Sequence, residues 1–193
     1  MRKVERNELL GLADYETIRE RFRNRVIALK ARRRIALGPN MTFTFENHDT
    51  VLLQVQEMLR TERISGERSI AHELSTYNEL IPPAGAVSAT MFVEYTDVDL
   101  RREMLQKLAG LRTEIRLRIG SEESVARFAT HFGEELDRLP SVNYLMFQLG
   151  AGAAARLSDP SVPATLVSTH PLYRAEAVLS AALREELADD LSQ

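Results

Sequence analysis

Histidine and carboxylate side chains that lie close together are where this 193-residue sequence could carry out proton transfer or metal ligation. The four histidines are His48, His72, His131 and His170, and none falls into HExxH or another spacing that puts two ligands on one helix turn. A site assembled in space from His72, Glu73 and His170 stays open, but capping and surface histidines are the commoner use, so neither a metal nor a cofactor is expected. His72-Glu73 reads as mid-helix, where neighbours point about 100° apart, so each needs a partner from elsewhere. His170-Pro171-Leu172-Tyr173 follows a strand-like run and is read as opening a helix, a place where loop side chains and free N–H groups converge on ligands. Its plainer reading is a capping histidine and a packed tyrosine. Glu46-Asn47-His48-Asp49 lies at a similar junction, and its acceptors suffice to cap a helix. If the chain is an enzyme, Glu46, His48, His72, Glu73, His170 and Tyr173 are its acid–base candidates, and they must converge in the folded protein.

Other chemistries are excluded more firmly. With no cysteine there is no thiolate nucleophile, disulfide framework or Cys-ligated cluster. The sequence also lacks GxxxxGK[ST], GxGxxG and GxSxG. Residues 1–34 hold 11 basic and 5 acidic side chains within a chain of net charge −3, so the front end is the basic end. On a helix Arg21, Arg25 and Arg32 form one stripe, a weak candidate for a partner surface, whereas Glu16 and Glu20 can pair with Arg19 and Arg23. The pI near 5.9 and the lack of a nucleic-acid-reading motif argue against a dedicated nucleic-acid binder, and a solvated helix face is the better reading.

The elements that must position these residues follow from hydrophobic spacing. Asp14 is placed to cap a helix with an apolar stripe of Tyr15, Ile18, Phe22, Val26 and Leu29. Gly38-Pro39-Asn40 supplies a turn between two strand-like segments, which predicts a hairpin. Two helices follow, with Val51, Val55, Met58 and then Ile70, Leu74, Tyr77, Ile81, stopped by Pro82-Pro83. Beyond the prolines, Val87 to Tyr95 alternate as a strand, Thr96 and Asp99 resemble a capping box, and Ile115, Leu117 and Ile119 alternate as a strand with one wet face. A helix carrying Val125, Phe128 and Phe132 is expected next, then a largely buried strand in SVNYLMFQLG, a short helix in AGAAARLS and a final strand in ATLVST. Pro171 is read as the first residue of a terminal helix with Leu172, Leu179, Leu183 and Leu187. The class is α+β: a helical first half with a short hairpin, then a β-α-β-(α)-β-α-β half compatible with a ferredoxin-like mixed sheet. Length and the absence of linkers suggest one domain over 1–193, with 1–83 helix-rich and 84–193 sheet-rich. No run approaches the roughly 18 apolar residues of a membrane span and no secretory signal opens the chain, so a cytoplasmic location is expected.

The ordered set VIALKARRRIALGPNMTFTFEN, VLLQVQEMLRTERI and HELSTYNELIP resembles the bacterial family called domain of unknown function 3501. The resemblance continues through SATMFVEY, VNYLMFQL and THPLY. It implies small bacterial cytosolic proteins without an established activity, encoded in some genomes near rubrerythrin-like and iron–sulfur proteins. No catalytic residues are carried over. Together with the missing catalytic signatures, this points first to a binding or accessory module that works with other proteins, redox or oxidative-stress proteins among them, through a protein or small-ligand surface. The alternative is a small enzyme with an acid–base or metal site built from His and Glu, and nucleic-acid binding through the N-terminal arginines ranks third. Self-association is open in all three cases.

Overall fold

The computed structural model describes residues 1–129 and 137–192. Helix α1 (Leu12–Arg32) starts from Gly11, with Asp14 inside its first turn, where a negative charge suits the helix dipole, rather than at the cap. Its stripe is as expected, with Tyr15 and Val26 fully buried and Ile18, Phe22 and Leu29 half-buried. The hairpin forms from β1 (Arg34–Ala36) and β2 (Met41–Phe45), paired antiparallel. Gly38 turns it at φ 66°, and a Cβ there would stand 2.8 Å from the Tyr173 hydroxyl, so the turn needs glycine twice over. Helix α2 (His48–Thr61) is capped by Asn47, whose side chain accepts from the Thr50 N–H while the Thr50 hydroxyl accepts from the Asn47 N–H. Helix α3 (Glu67–Tyr77) returns beside it and tightens into a 3-10 turn at Asn78–Leu80 before the prolines.

The second half comprises β3 (Ala86–Val93), α4 (Val98–Lys107), β4 (Ile115–Ile119), β5 (Glu122–Val125), β6 (Arg127–Phe128), β7 (Val142–Gln148), α5 (Ala153–Ser158), β8 (Ala164–His170), β9 (Tyr173–Val178) and α6 (Ala181–Ser192). The α+β class holds, but the strands are divided between two sheets, ordered β1-β2-β3-β7-β6 and β5-β4-β8-β9, with every pairing antiparallel. A single ferredoxin-like mixed sheet is ruled out because β3 is paired on both edges, by β2 and β7, which leaves β4 to found a second sheet.

Two expected helices are corrected. Residues 122–128 form β5 and β6, because Gly120 at φ 62° turns β4 back on itself, and Val125, placed on a buried helix face by the sequence reading, is 46% exposed. Phe132 lies outside the described residues. Pro171-Leu172 is the turn of a β8–β9 hairpin rather than the start of a helix. The fixed φ of proline suits the second position of a turn as well as a helix start, and Leu172 is 59% exposed at that turn. The terminal helix therefore begins ten residues later, at Ala181. The cap of α4 is Asp97, whose side chain accepts from the Leu100 N–H, not Thr96.

The larger core lies between the sheets. Phe43, Phe45, Val87, Met91, Leu145 and Phe147 of the first sheet join Ile115, Leu117 and Leu166 of the second, with α6 closing one end through Leu183 and Leu187. The other face of the first sheet is polar, carrying Thr44, Ser88 and Thr90, all buried. A second, smaller cluster joins the N-terminal segment (Val4, Leu9) to α2 and α3 through Val51, Val55, Leu59 and Ile70. Two side-chain amides bind that segment as a neighbouring strand would. Asn78 bonds both the N–H and the C=O of Val4, and Gln56 bonds the N–H and C=O of Leu10. No helix among the described residues is long and apolar enough to cross a membrane.

Arg33, just past the end of α1, ties these parts together. Its side chain is fully buried and donates to the backbone carbonyls of Phe45 (2.9 Å) and Glu46 (3.2 Å), to Glu186 (3.1 Å) and to Asp190 on α6. Burial raises the Asp190 carboxyl above its ordinary value, against the opposing pull of the guanidinium. Arg33→Met should therefore strand Asp190 in the interior and lower stability by about 3–5 kcal/mol, whereas adding Asp190→Leu should restore part of the loss. Chemical denaturation of the two variants checks this; equal stabilities for the single and double variants would contradict it.

Candidate functional site

A cleft of about 520 Å³ opens between the helical hairpin and the polar face of the first sheet, at its β7–β6 edge. Helix α2 contributes Met58, and α3 with its 3-10 turn contributes His72, Glu73, Thr76, Tyr77, Glu79 and Leu80. From the sheet come Ser88, Arg127, Phe128, Ala129, Tyr144 and Met146, with Glu46 following β2. Strand alternation explains the sheet's share. In β7, Leu145 and Phe147 belong to the core between the sheets, so Tyr144 and Met146 fall on the opposite face and meet the hairpin.

Glu46 is the buried acid of this cleft, 3% exposed. It accepts from the hydroxyls of Thr50 and Thr90, each at 2.5 Å, and from the Gln54 amide at 3.1 Å. These donors are all neutral, and Glu46 forms no ion pair among the described residues. The tyrosines beside it are shifted by their surroundings. Burial, then the Glu46 charge, raises the Tyr144 hydroxyl, while burial, with Tyr144 and Glu73 adding to it, raises that of Tyr77. Both phenols therefore stay protonated at neutral pH and can donate as well as accept.

A family match to "Protein of unknown function (DUF3501)" covers residues 3–191. The chain belongs to that family. Its fold is similar to a crystal structure of a protein of unknown function from Burkholderia pseudomallei K96243, with a TM-score of 0.92 and 30% identity over 98% of this chain and 100% of that one. No functionally curated protein matches it.

In this DUF3501 chain the six acid–base candidates fall in three separate places. Glu46, His72 and Glu73 line the cleft together. His48 instead faces the N-terminal segment, with Nε2 3.1 Å from Glu8 and Nδ1 3.3 Å from Asp49. His170 and Tyr173 sit at the β8–β9 turn. The His170 Nδ1 accepts from the Leu172 N–H at 3.3 Å, and the Tyr173 hydroxyl donates to the Leu37 carbonyl at 2.8 Å and accepts from the Asn40 N–H at 2.9 Å. Those bonds brace two turns. His131 lies outside the described residues, and no group of three or more His, Asp or Glu among the described residues could hold a metal ion.

The arginine stripe is largely engaged. Arg32 pairs with Glu185 and Glu186 at 2.7 and 2.6 Å, and Arg25 stands 3.3 Å from Asp49 and over the Phe22 ring, while Arg21 forms no ion pair among the described residues. Sequence reasoning missed Tyr144, Arg127 and Met146, and treated Tyr77 only as part of a core stripe. Alternation within VNYLMFQ was the signal that separates Tyr144 and Met146 from the core, but it becomes readable only once one face is known to be covered by a second sheet.

The His48 neighbourhood carries a pH signature. Bidentate bonding from Arg2 at 2.8 and 2.7 Å is the main cause that lowers the Glu8 carboxyl from 4.5 to about 2. Because its folded value is depressed, the contribution of Glu8 is complete above pH 4.5 and is lost as the pH falls from there toward 2. Glu8→Gln should cost about 1 kcal/mol at pH 7, solvent screening of the exposed Arg2 included, and the gap from the parent should close below pH 4.5. Urea unfolding across that range measures it; a pH-independent gap would show that the carboxylate charge is not the cause.

Proposed function

We propose that this protein is a binding module whose ligand is a small, largely apolar molecule held in the cleft between the helical hairpin and the first sheet. The cleft itself carries the proposal. Its volume of about 520 Å³ falls within the range of about 300–1,000 Å³ typical of small-molecule sites. Met58, Leu80 and Met146 offer apolar surface, and a few polar groups, Glu46, Tyr77 and Tyr144 among them, converge on the same space. That combination binds by burying apolar area and orients by a small number of hydrogen bonds. The accessory role implied by the family resemblance would then consist of holding such a molecule for partner proteins.

A second reading draws on the presence of Glu46, His72 and Glu73 in one cleft, which supplies acid–base groups beside the bound molecule. Under that reading His72→Gln would abolish a turnover that binding alone does not require.

The binding reading predicts that the neutral dye N-phenyl-1-naphthylamine gains fluorescence with the protein. Thr76→Trp, placed on an exposed helical position that lines the cleft, should weaken the dye by about tenfold or more with an unchanged melting temperature. No enhancement with the parent protein, or equal affinity for the variant, would overturn the assignment of the cleft as the binding site.

A further inference from the structure

The charge of the cleft narrows the chemistry of its ligand, an inference that rests on the binding reading above. Among the described residues three carboxylates, Glu46, Glu73 and Glu79, line it with His72 against one guanidinium, that of Arg127 at the exposed edge strand β6. Of the three, Glu46 is buried, and neutral hydroxyls and an amide, with no cation among the described residues, satisfy its oxygens. The nearest buried cation, Arg33, reaches only the backbone carbonyl of Glu46 and spends its charge on Glu186 and Asp190. A carboxylate taken out of water without a counter-ion is costly, and a cation delivered to it gains a charge-assisted bond in a site of low dielectric. The walls suit the same guest, since Tyr77 and Tyr144 present aromatic rings to the cleft, and ring faces attract cations.

We propose that the cleft binds an organic amine in its ammonium form, with the cationic head toward Glu46 and the apolar body against Met58, Leu80 and Met146. An anionic head would meet the three carboxylates, and a neutral head would leave Glu46 without its counter-ion. Glu73, half-buried on α3, stands at the cleft as a second acceptor for the ammonium.

Three probes that share one ring and differ in head group test this: 1-naphthylmethylamine, 1-naphthalenemethanol and 1-naphthoate, titrated at neutral pH by calorimetry. The amine should bind the parent protein about tenfold or more tighter than the alcohol, and the carboxylate should be the weakest. Glu46→Gln should remove the preference for the amine over the alcohol, and Glu73→Gln, on the outer helix, should narrow the gap partway. If the alcohol binds and the amine binds no tighter, the cleft remains a binding site and the amine assignment falls. The same conclusion follows if Glu46→Gln folds and keeps the preference for the amine. If none of the three probes binds, the binding reading itself fails.

Discussion

A single buried guanidinium holds the two halves of this protein in register. Arg33 stands where α1 ends, and its planar fork reaches the carbonyls of Phe45 and Glu46 at the end of β2 and the acids of α6, more than 150 residues further along the chain. Lysine could not take its place, because a point charge on a flexible stem cannot bond two carbonyls and two carboxylates at fixed angles. Burying that charge costs several kcal/mol before any pairing, so the arrangement persists only because every partner is in place. The interaction is a constraint on geometry more than a source of stability, since it ties the position of α6 to the hairpin of β1 and β2.

The cleft inherits this constraint. By bonding the carbonyls of Phe45 and Glu46, Arg33 fixes the backbone from which the Glu46 side chain departs. Thr50, itself locked into the cap of α2 by Asn47, then donates to one carboxylate oxygen, and Thr90 of β3 donates to the other. A backbone pinned from behind and a side chain held from both sides leave Glu46 little freedom, which is the preorganisation a binding site needs. The polar face of the first sheet makes this arrangement possible. Had Thr44, Ser88 and Thr90 been apolar, α2 and α3 would pack against the sheet directly and the carboxylate would lose the hydroxyl of Thr90.

The helical hairpin is packed differently from the rest. Its apolar cluster includes no residue of the sheet and is completed by the N-terminal segment, which side-chain amides hold in the manner of a strand. This lets α3 stand away from β7 and leaves space between them, so the cleft exists because the core between the sheets and the helical cluster do not merge across the polar face of the first sheet.

The sequence by itself determined the α+β class, the first helix, the hairpin, the helical pair and most strands, because those follow from local spacing of apolar residues and from turn chemistry at Gly38 and Pro82-Pro83. It went astray where two local readings are equally good. Pro171 suits a helix start and a turn alike, and Val125 and Phe128 can be counted at helical spacing though they belong to successive short strands. Only the tertiary structure decided that the strands divide between two sheets, since pairing partners lie far apart in sequence and alternation says nothing about which edge is taken. It also decided that Arg33 is buried between exposed Arg32 and Arg34, and that Glu46, His72 and Glu73 share a cleft while His48, His170 and Tyr173 brace other parts of the fold. The physical reason is common to all of these: burial and convergence depend on what packs against a residue, and that neighbour comes from a distant part of the chain.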